Sequence, residues 1–244
     1  MIDIHCHIIP GVDDGSEDME ESLDMGQLAS EFGTTDIIVT PHCNIPDVFD
    51  NYHDEEYEEA FMSLSIAFQR NNIPITLHRG MEVFGVGDIG SLIEDGRLIT
   101  LAGSRYMLIE FPFDAEPGYI QDVLWDVSEH GVTPIVAHPE RYYAVIDDIE
   151  YALDWVGMGC FLQLNRTSIM GNHGDDEMHT SRMLLKQKAA HFIASDAHSA
   201  YTRTPRLADV YSFIADRYSK SWADILLVEN PQRVIEDREL LVLE

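Results

Sequence analysis

The sequence predicts an α/β protein built on a mostly parallel sheet, open or closed into a barrel. Three observations carry this. Seven short apolar runs recur along the 244 residues, helical stretches fall between most of them, and the irregular segments nearly all begin where an apolar run ends. The strand candidates are residues 1–5, 35–40, 75–81, 106–111, 132–137, 160–165 and 191–195. Each is four to seven residues long and rich in Ile, Val, Leu or Phe. Predicted helices cover 17–32, 53–71, 118–130, 147–158, 177–190, 205–218 and 221–228. Ser16 is placed to cap the first of them, with Glu17, Asp18 and Glu20 favouring its positive end. Gly33 and Gly131 stand where helices should stop. The expected irregular segments are 9–16, 41–52, 83–90, 111–117, 138–146, 166–176 and 196–206. No linker, low-complexity tract or repeat divides the chain, so residues 1–244 read as one domain.

Composition narrows the function. The chain carries 44 acids against 15 bases, a formal charge of -29. A surface of that sign repels nucleic-acid phosphates and anionic membranes. With 45% hydrophobic and 9% aromatic residues it is not an acidic disordered tail. No apolar run approaches the roughly 18–20 residues that span a bilayer. The N-terminus lacks the basic and apolar regions of a signal peptide. Three cysteines, Cys6, Cys43 and Cys160, are too few and too odd for a disulfide framework and suit a reducing cytoplasm.

The chemistry gathers at one end of the strands. The first ends in His5-Cys6-His7, followed by Asp13 and Asp14. Later strands end at His42, Glu82, Glu110, His138 (with Glu140 and Arg141 after it), and Asp196 with His198. Six of the seven strands thus deliver a His, Asp or Glu at their carboxyl ends, where parallel α/β proteins bind ligands. A lone strand-end histidine is ordinarily a packing residue. Here, His5 and His7 are two apart and project to one side of a strand, and Asp196 and His198 repeat that spacing. Carboxylates ending apolar runs are costly unless cations repay them. Imidazole and carboxylate donors without thiolates suit Mn, Fe or Zn in a polynuclear site. His53, His78, His130, His173 and His179 read as surface or core, and Cys6 and Cys43 as packed thiols alternating away from the ligands.

In order, His5-x-His7, Asp14-Gly15, Thr40-x-His42, Gly80-x-Glu82, Ile109-Glu110, His138-Pro139-Glu140-Arg141-Tyr142 and Ser195-Asp196-x-His198 resemble the motifs of the polymerase-and-histidinol-phosphatase superfamily. Within it the chain resembles the bacterial metal-dependent protein-tyrosine phosphatases of capsule and exopolysaccharide gene clusters. The resemblance spans residue 2 to about 206. It implies a distorted seven-stranded βα (TIM-like) barrel and a trinuclear site. His5, His7, Glu82 and Asp196 would hold one metal; Glu82, Glu110 and His138 a second; Asp14, His42 and His198 a third. Manganese is the leading choice, with Fe, Zn or Mg open. Arg141 and Arg203 match positions that grip substrate phosphate. The implied partner is a phosphotyrosine protein, the tail of a bacterial tyrosine autokinase.

Elementary chemistry agrees with that implication. Three divalent ions against four ligand carboxylates leave a locally positive site that attracts a dianion. Water shared between two metals ionises near neutral pH and is the expected attacking group. Rival readings meet specific obstacles. Cys160 and Arg166 satisfy the spacing of cysteine-based phosphatases, but the residues between them alternate like a strand and include no glycine. Many amidohydrolase barrels need a carboxylated lysine on a middle strand, and no lysine precedes Lys186. A phosphatase for a small phosphorylated metabolite is compatible with the same residues, and so is a non-enzymatic metal-binding module. Tyr142, Tyr143 and Phe111 are placed either lining the mouth or packing its rim.

Overall fold

A computed structural model describes residues 1–242. The seven predicted strands appear as nine segments in two parallel sheets. One contains β1 (Ile2–Cys6), β2 (Asp36–Val39) and β4 (Thr76–His78), in the order β1-β2-β4. The other runs β3 (His42–Cys43), β5 (Glu82–Phe84), β6 (Tyr106–Glu110), β7 (Thr133–Ala137), β8 (Phe161–Asn165) and β9 (Phe192–Ala194). The additional segments arise because the second and third strands each break and resume. Pro41, which has no N–H to give a ladder, lies between β2 and β3. Gly80 lies between β4 and β5, where a Cβ would sit 2.7 Å from Ile38 Cγ2. The first and last strands also meet. Cys6 forms a parallel bridge with Ala197, Asp196 N–H donates to His5 O at 2.9 Å, and His7 N–H donates to Ala197 O at 2.9 Å.

The long helices fall where periodicity places them: α1 (Met19–Glu31), α2 (Glu55–Arg70), α4 (Pro117–Glu129), α6 (Glu150–Gly157), α8 (Asp175–Lys186) and α9 (Ala208–Arg217). Gly33 and Gly131 follow helices with φ of 85° and 76°. Ser16 is not the first cap. Asp18 is, accepting from Glu21 N–H, while the Ser16 hydroxyl is buried against Ser22. Short helices lie outside the expected ones almost throughout: α3 (Ile89–Glu94), capped by Asp88, starts at the end of the irregular segment expected over 83–90, and α5 (Tyr143–Asp147) and α7 (Arg166–Ile169) fall essentially within those expected over 138–146 and 166–176. After α10 (Lys220–Asp224), a π-helical turn over Ile225–Glu229 leads into α11 (Asn230–Ile235).

Two apolar clusters explain why the strands alternate. The larger joins one strand face to the helices, through Ile109, Val136, Leu162 and Ile193 against residues such as Met25, Leu124, Trp155 and Leu184. The smaller draws mainly on the opposite faces of the strands: Ile38, Leu108, Ile135, Ala137, Phe192 and Ala194. Continuing that second face by two residues reaches Glu110 and Asp196, so the apolar cluster leads straight into the polar site. In β1 the parity changes partway. Ile2 and Ile4 belong to the smaller cluster, yet Cys6 belongs to the larger. A register shift against β2 lies between Asp3 and Cys6. That irregularity turns His5 and His7 onto the face that Ile2 and Ile4 began.

Candidate metal centre

The nine side chains expected to bind metal converge. His5 is the penultimate residue of β1 and His7 follows the strand; Asp14 comes from the next loop. His42 and Glu82 are register partners on β3 and β5. Glu110 ends β6, His138 follows β7, and Asp196 and His198 follow β9. His138 and Asp196 have left-handed backbones, φ 34° and 50°, unusual for residues with a Cβ. Such strain collects at functional sites, where the surrounding structure holds it in place.

Glu82 sits at the centre. Its oxygens lie 3.1 Å from His5 Nε2, 3.2 Å from His7 Nε2, 3.0 Å from His138 Nε2 and 3.0 Å from His42 Nδ1. Asp196 Oδ1 is 3.4 Å from His5 Nε2 and 3.5 Å from His7 Nε2. Asp14 Oδ1 bridges His42 Nε2 at 3.4 Å and His198 Nε2 at 3.3 Å. Four overlapping groups could each hold an ion: His7, Asp14, His42 and His198; His5, His7 and Asp196; His5, Glu82 and His138; His42, Glu82 and Glu110. His42 belongs to two of them because its ring has two nitrogens. Nδ1 faces Glu82 and Glu110 (2.8 Å to Glu110 Oε1), while Nε2 faces Asp14.

The donor set fits cations rather than protons alone. His5 Nδ1 lies 2.8 Å from Gln163 Oε1, and His7 Nδ1 lies 2.7 Å from Asp13 Oδ2. Both acceptors place the ring proton on Nδ1, which leaves a lone pair on each Nε2. Those two Nε2 atoms are 3.1 Å apart and both face Glu82. Lone pairs and a carboxylate crowded this way repel unless a positive charge sits among them. Buried Glu82 Oε2, Glu110 Oε1, His42 Nδ1 and His198 Nε2 make no hydrogen bond despite their close neighbours. Against the burial that would lower it, the Glu82 charge and the Glu110 contact push His42 up to about 10. The carboxylates around His42 favour positive charge at that position, and a metal ion can supply it.

Several supporting residues carry no strong sequence signal. Asp13 accepts from His7, from Gly15 N–H and from His42 N–H at 2.9 Å, tying three parts of the site together. The strand without an ionisable terminus, β8, supplies amides instead. Gln163 orients His5, and Asn165 Nδ2 donates to Asp196 Oδ2 at 2.6 Å. Both lie on the alternating face that reaches the site, which was the available clue. Buried Asp3 accepts from Ser195 N–H and from the Ser195 hydroxyl, fixing the turn that presents Asp196; burial raises its carboxyl to about 6.

Both predicted arginines face Asp196. Arg203 Nη2 is 2.6 Å and Arg141 Nη1 3.6 Å from Asp196 Oδ2. Arg141 also stacks 4.4 Å over the Phe113 ring. The aromatic border resolves the alternative left open by the sequence. Phe111 and Tyr142 are fully buried, and the Tyr142 hydroxyl donates to Ala137 O at 2.8 Å, so both pack the rim. Tyr143 is 60% exposed in a cavity with Asp114 and Asp147. Phe113 and Phe49 border the site instead, Phe49 stacking on His42 at 7° between planes. Of the other histidines, His78 pairs with Asp36 and His53 with Glu58.

This fold and this cluster define a class: parallel α/β proteins that gather a histidine–carboxylate metal-binding constellation at the carboxyl ends of their strands. Within it, the sequence model of the family described as capsular polysaccharide synthesis, CpsB/CapC, matches residues 1–236, and the chain belongs to that family. It is 31% identical over 240 residues to the tyrosine-protein phosphatase YwqE of Bacillus subtilis, covering 98% of this chain and 93% of the relative. It superposes with a TM-score of 0.93, at 30% identity, on a structure from a study of YwqE from Bacillus subtilis and CpsB from Streptococcus pneumoniae, described as metal-dependent tyrosine phosphatases; the match covers 100% of this chain and 97% of that one. A lactonase from Listeria monocytogenes shares the fold at a TM-score of 0.64 but only 11% identity, covering 98% of this chain and 95% of that one. No helix among the described residues is long and apolar enough to cross a membrane.

Proposed function

We propose that this protein is a metal-dependent protein-tyrosine phosphatase acting in capsule or exopolysaccharide synthesis in the cytoplasm. The observation that carries the reading is Glu82, a buried carboxylate within 3.2 Å of four imidazoles, in a cluster edged by two arginines. His5, His7, Glu82 and Asp196 hold one divalent ion, Glu82, Glu110 and His138 a second, and Asp14, His42 and His198 a third. Manganese suits this imidazole-and-carboxylate set best, and Fe, Zn and Mg are accepted by the same donors. Bound ions supply electrophilic assistance and lower the pKa of water.

The chain's own residues do the rest. Gln163 and Asp13 fix the tautomers of His5 and His7, so that both present lone pairs without rearrangement. Arg203 and Arg141 contact Asp196 through part of their donor forks. Their other N–H groups take the phosphoryl oxygens and stabilise charge as it redistributes. A tyrosyl leaving group has a pKa near 10 and departs with less protonation than an alkyl alcohol needs. The proposed substrate is the phosphotyrosine tail of a bacterial tyrosine autokinase, extended enough to reach the strand ends.

The test is metal analysis of purified protein alongside hydrolysis of phosphotyrosine peptides, phosphoserine peptides and histidinol phosphate, before and after chelation. The expected result is bound metal, the highest kcat/KM on phosphotyrosine, and loss of turnover on chelation with recovery on adding Mn. A preference for histidinol phosphate, or turnover indifferent to chelation, overturns the proposal.

A further inference from the structure

Next to the metal cluster lies a second cavity of about 450 Å³ whose lining is basic and hydrogen-bonding: Arg166, Asn172, His173, Thr202, Arg203 and Arg206 contribute to it. Three arginines at one cavity stand out in a chain with 15 bases against 44 acids. Their situations differ. Arg166 is held by Asp209, with Nε 2.8 Å from Oδ1. Arg203 is shared with the metal cluster through Asp196. Arg206 has no carboxylate partner among the described residues; its guanidinium rests 4.6 Å over the Phe32 ring, exposed to solvent. Half-buried His173 lines the cavity together with Arg203. Its Nδ1 lies 3.4 Å from Thr167 Oγ1 and 3.3 Å from Ser168 Oγ, and burial, then the charges of Arg141 and Arg203, lower it to about 4.

We propose that this cavity is a specificity subsite for an anionic side chain, a carboxylate or a second phosphate, that flanks the phosphotyrosine being hydrolysed on the same peptide. The proposal rests on the phosphatase reading and adds the substrate preference to it. Continuity is the first argument. Arg203 lines the cavity and also touches Asp196, so a phosphate at the cluster and an anion in the cavity are bound on two sides of one arginine. An extended peptide advances about 3.3–3.6 Å per residue, so a side chain only a few positions from the phosphotyrosine spans that gap. Charge is the second argument. An acidic peptide is repelled by most of this surface, and a local arginine cluster reverses the sign where it must dock. Guanidinium forks match carboxylate and phosphate alike, and Arg206 is the one whose donors no acid occupies. Thr202 and Asn172 add neutral donors that suit either anion.

The experiment uses metal-loaded full-length protein and peptides of equal length carrying a non-hydrolysable phosphonate in place of the tyrosine phosphate. The flanks are glutamate, a second phosphotyrosine, or glutamine. Binding is read by fluorescence anisotropy, so it reports on the cavity independently of turnover. Hydrolysis of p-nitrophenyl phosphate is measured separately and judges the phosphatase reading itself. Wild-type protein should bind one or both anionic flanks about tenfold more tightly than the glutamine flank, roughly 1.4 kcal/mol. The glutamate and phosphotyrosine arms show which anion the cavity favours. Arg206→Gln should bring the preference close to one while leaving p-nitrophenyl phosphate hydrolysis unchanged, and Arg206→Lys should restore part of it. Equal binding of all three flanks by wild type overturns the subsite. So does an Arg206→Gln protein that weakens every peptide by the same factor, because that is a general effect and not recognition.

Discussion

Two regions share one face of the same strands and obey opposite rules. Near its middle that face is apolar: Leu108, Ile135, Ala137, Phe192 and Ala194 are all fully buried and pack mainly against other strands. One step further along the chain, the face ends in Glu110, His138 and Asp196. Those side chains are also buried, but each is ionisable, and two of them stand on left-handed backbones. The apolar part lowers the free energy of folding. The polar part raises it, because buried carboxylates and imidazoles lose solvation and the strained residues cost of order 1–3 kcal/mol each. The fold tolerates the second because the first is continuous beneath it. Stability and chemistry are therefore separable within a few residues.

The sharpest way to break this contrast is to change one residue in each half. Asp196→Asn keeps the size of the side chain but removes the charge shared by His5, His7, Arg141 and Arg203. Phosphotyrosine hydrolysis should fall on the order of 10³-fold or more, with circular dichroism unchanged. Leu108→Ala, two residues before Glu110, should do the reverse. It should cost about 2–5 kcal/mol in denaturant unfolding and leave turnover per folded molecule close to wild type. If Leu108→Ala abolished turnover in the folded protein while Asp196→Asn did not, the two halves would not be separable and the assignment of the site would fail.

The same contrast explains what could be read without a structure. The apolar half is spelled in short continuous runs of Ile, Val, Leu and Phe, which give most strand positions within a residue or two. Most of the proposed ligands end or closely follow apolar runs with an ionisable side chain, which is why they stood out; Asp14, in an acidic loop, was singled out by the family resemblance. Four features stayed hidden, wholly or in part, because they depend on geometry between distant segments. The register shift in β1 cannot be seen in the string Ile2-Asp3-Ile4-His5, yet it decides which way His5 points. Gln163 and Asn165 carry no charge and read as ordinary strand residues until their partners His5 and Asp196 appear beside them. Pro41 opens a stretch expected to be irregular, whereas Gly80 lies inside the strand expected over 75–81, and the break there depends on its close approach to Ile38. Arg206 gave no signal, since the subsite proposed for it depends on its having no carboxylate ion pair among the described residues.

A buried histidine outside the site sharpens the comparison at lower amplitude. His191 precedes β9, and its Nδ1 accepts from Leu162 N–H at 3.2 Å. Burial lowers it to about 4 from an ordinary 6.5. The folded protein therefore holds this ring neutral while the unfolded chain takes up a proton. Its contribution is complete above pH 6.5 and is lost as pH falls from 6.5 towards 4, by roughly 3 kcal/mol at the limit. In His191→Asn, unfolding free energy measured across that window should decline less steeply than in wild type. Parallel curves for the two proteins would show that the ring is protonated in the fold.

The smallest effect expected is at Cys160, and it discriminates between mechanisms because it is small. Cys160 and Arg166 have the spacing of a cysteine-based phosphatase, a chemistry that needs a thiolate cradled by free backbone N–H groups beside an available arginine. None of those conditions is met. The thiol is 2% exposed, and burial pushes it up to about 12. The five residues between the pair form β8, which is paired on both sides with β7 and β9, so its backbone groups are committed to ladders. Arg166 is paired with Asp209. Replacing Cys160 by alanine removes one buried sulfur from the larger apolar cluster, a loss of about 1 kcal/mol in stability. Hydrolysis of phosphotyrosine by the folded variant should match wild type, and chelation should abolish it in both. Collapse of activity in a folded Cys160→Ala protein would move the chemistry from the ionisable half of the strand face to its apolar reverse.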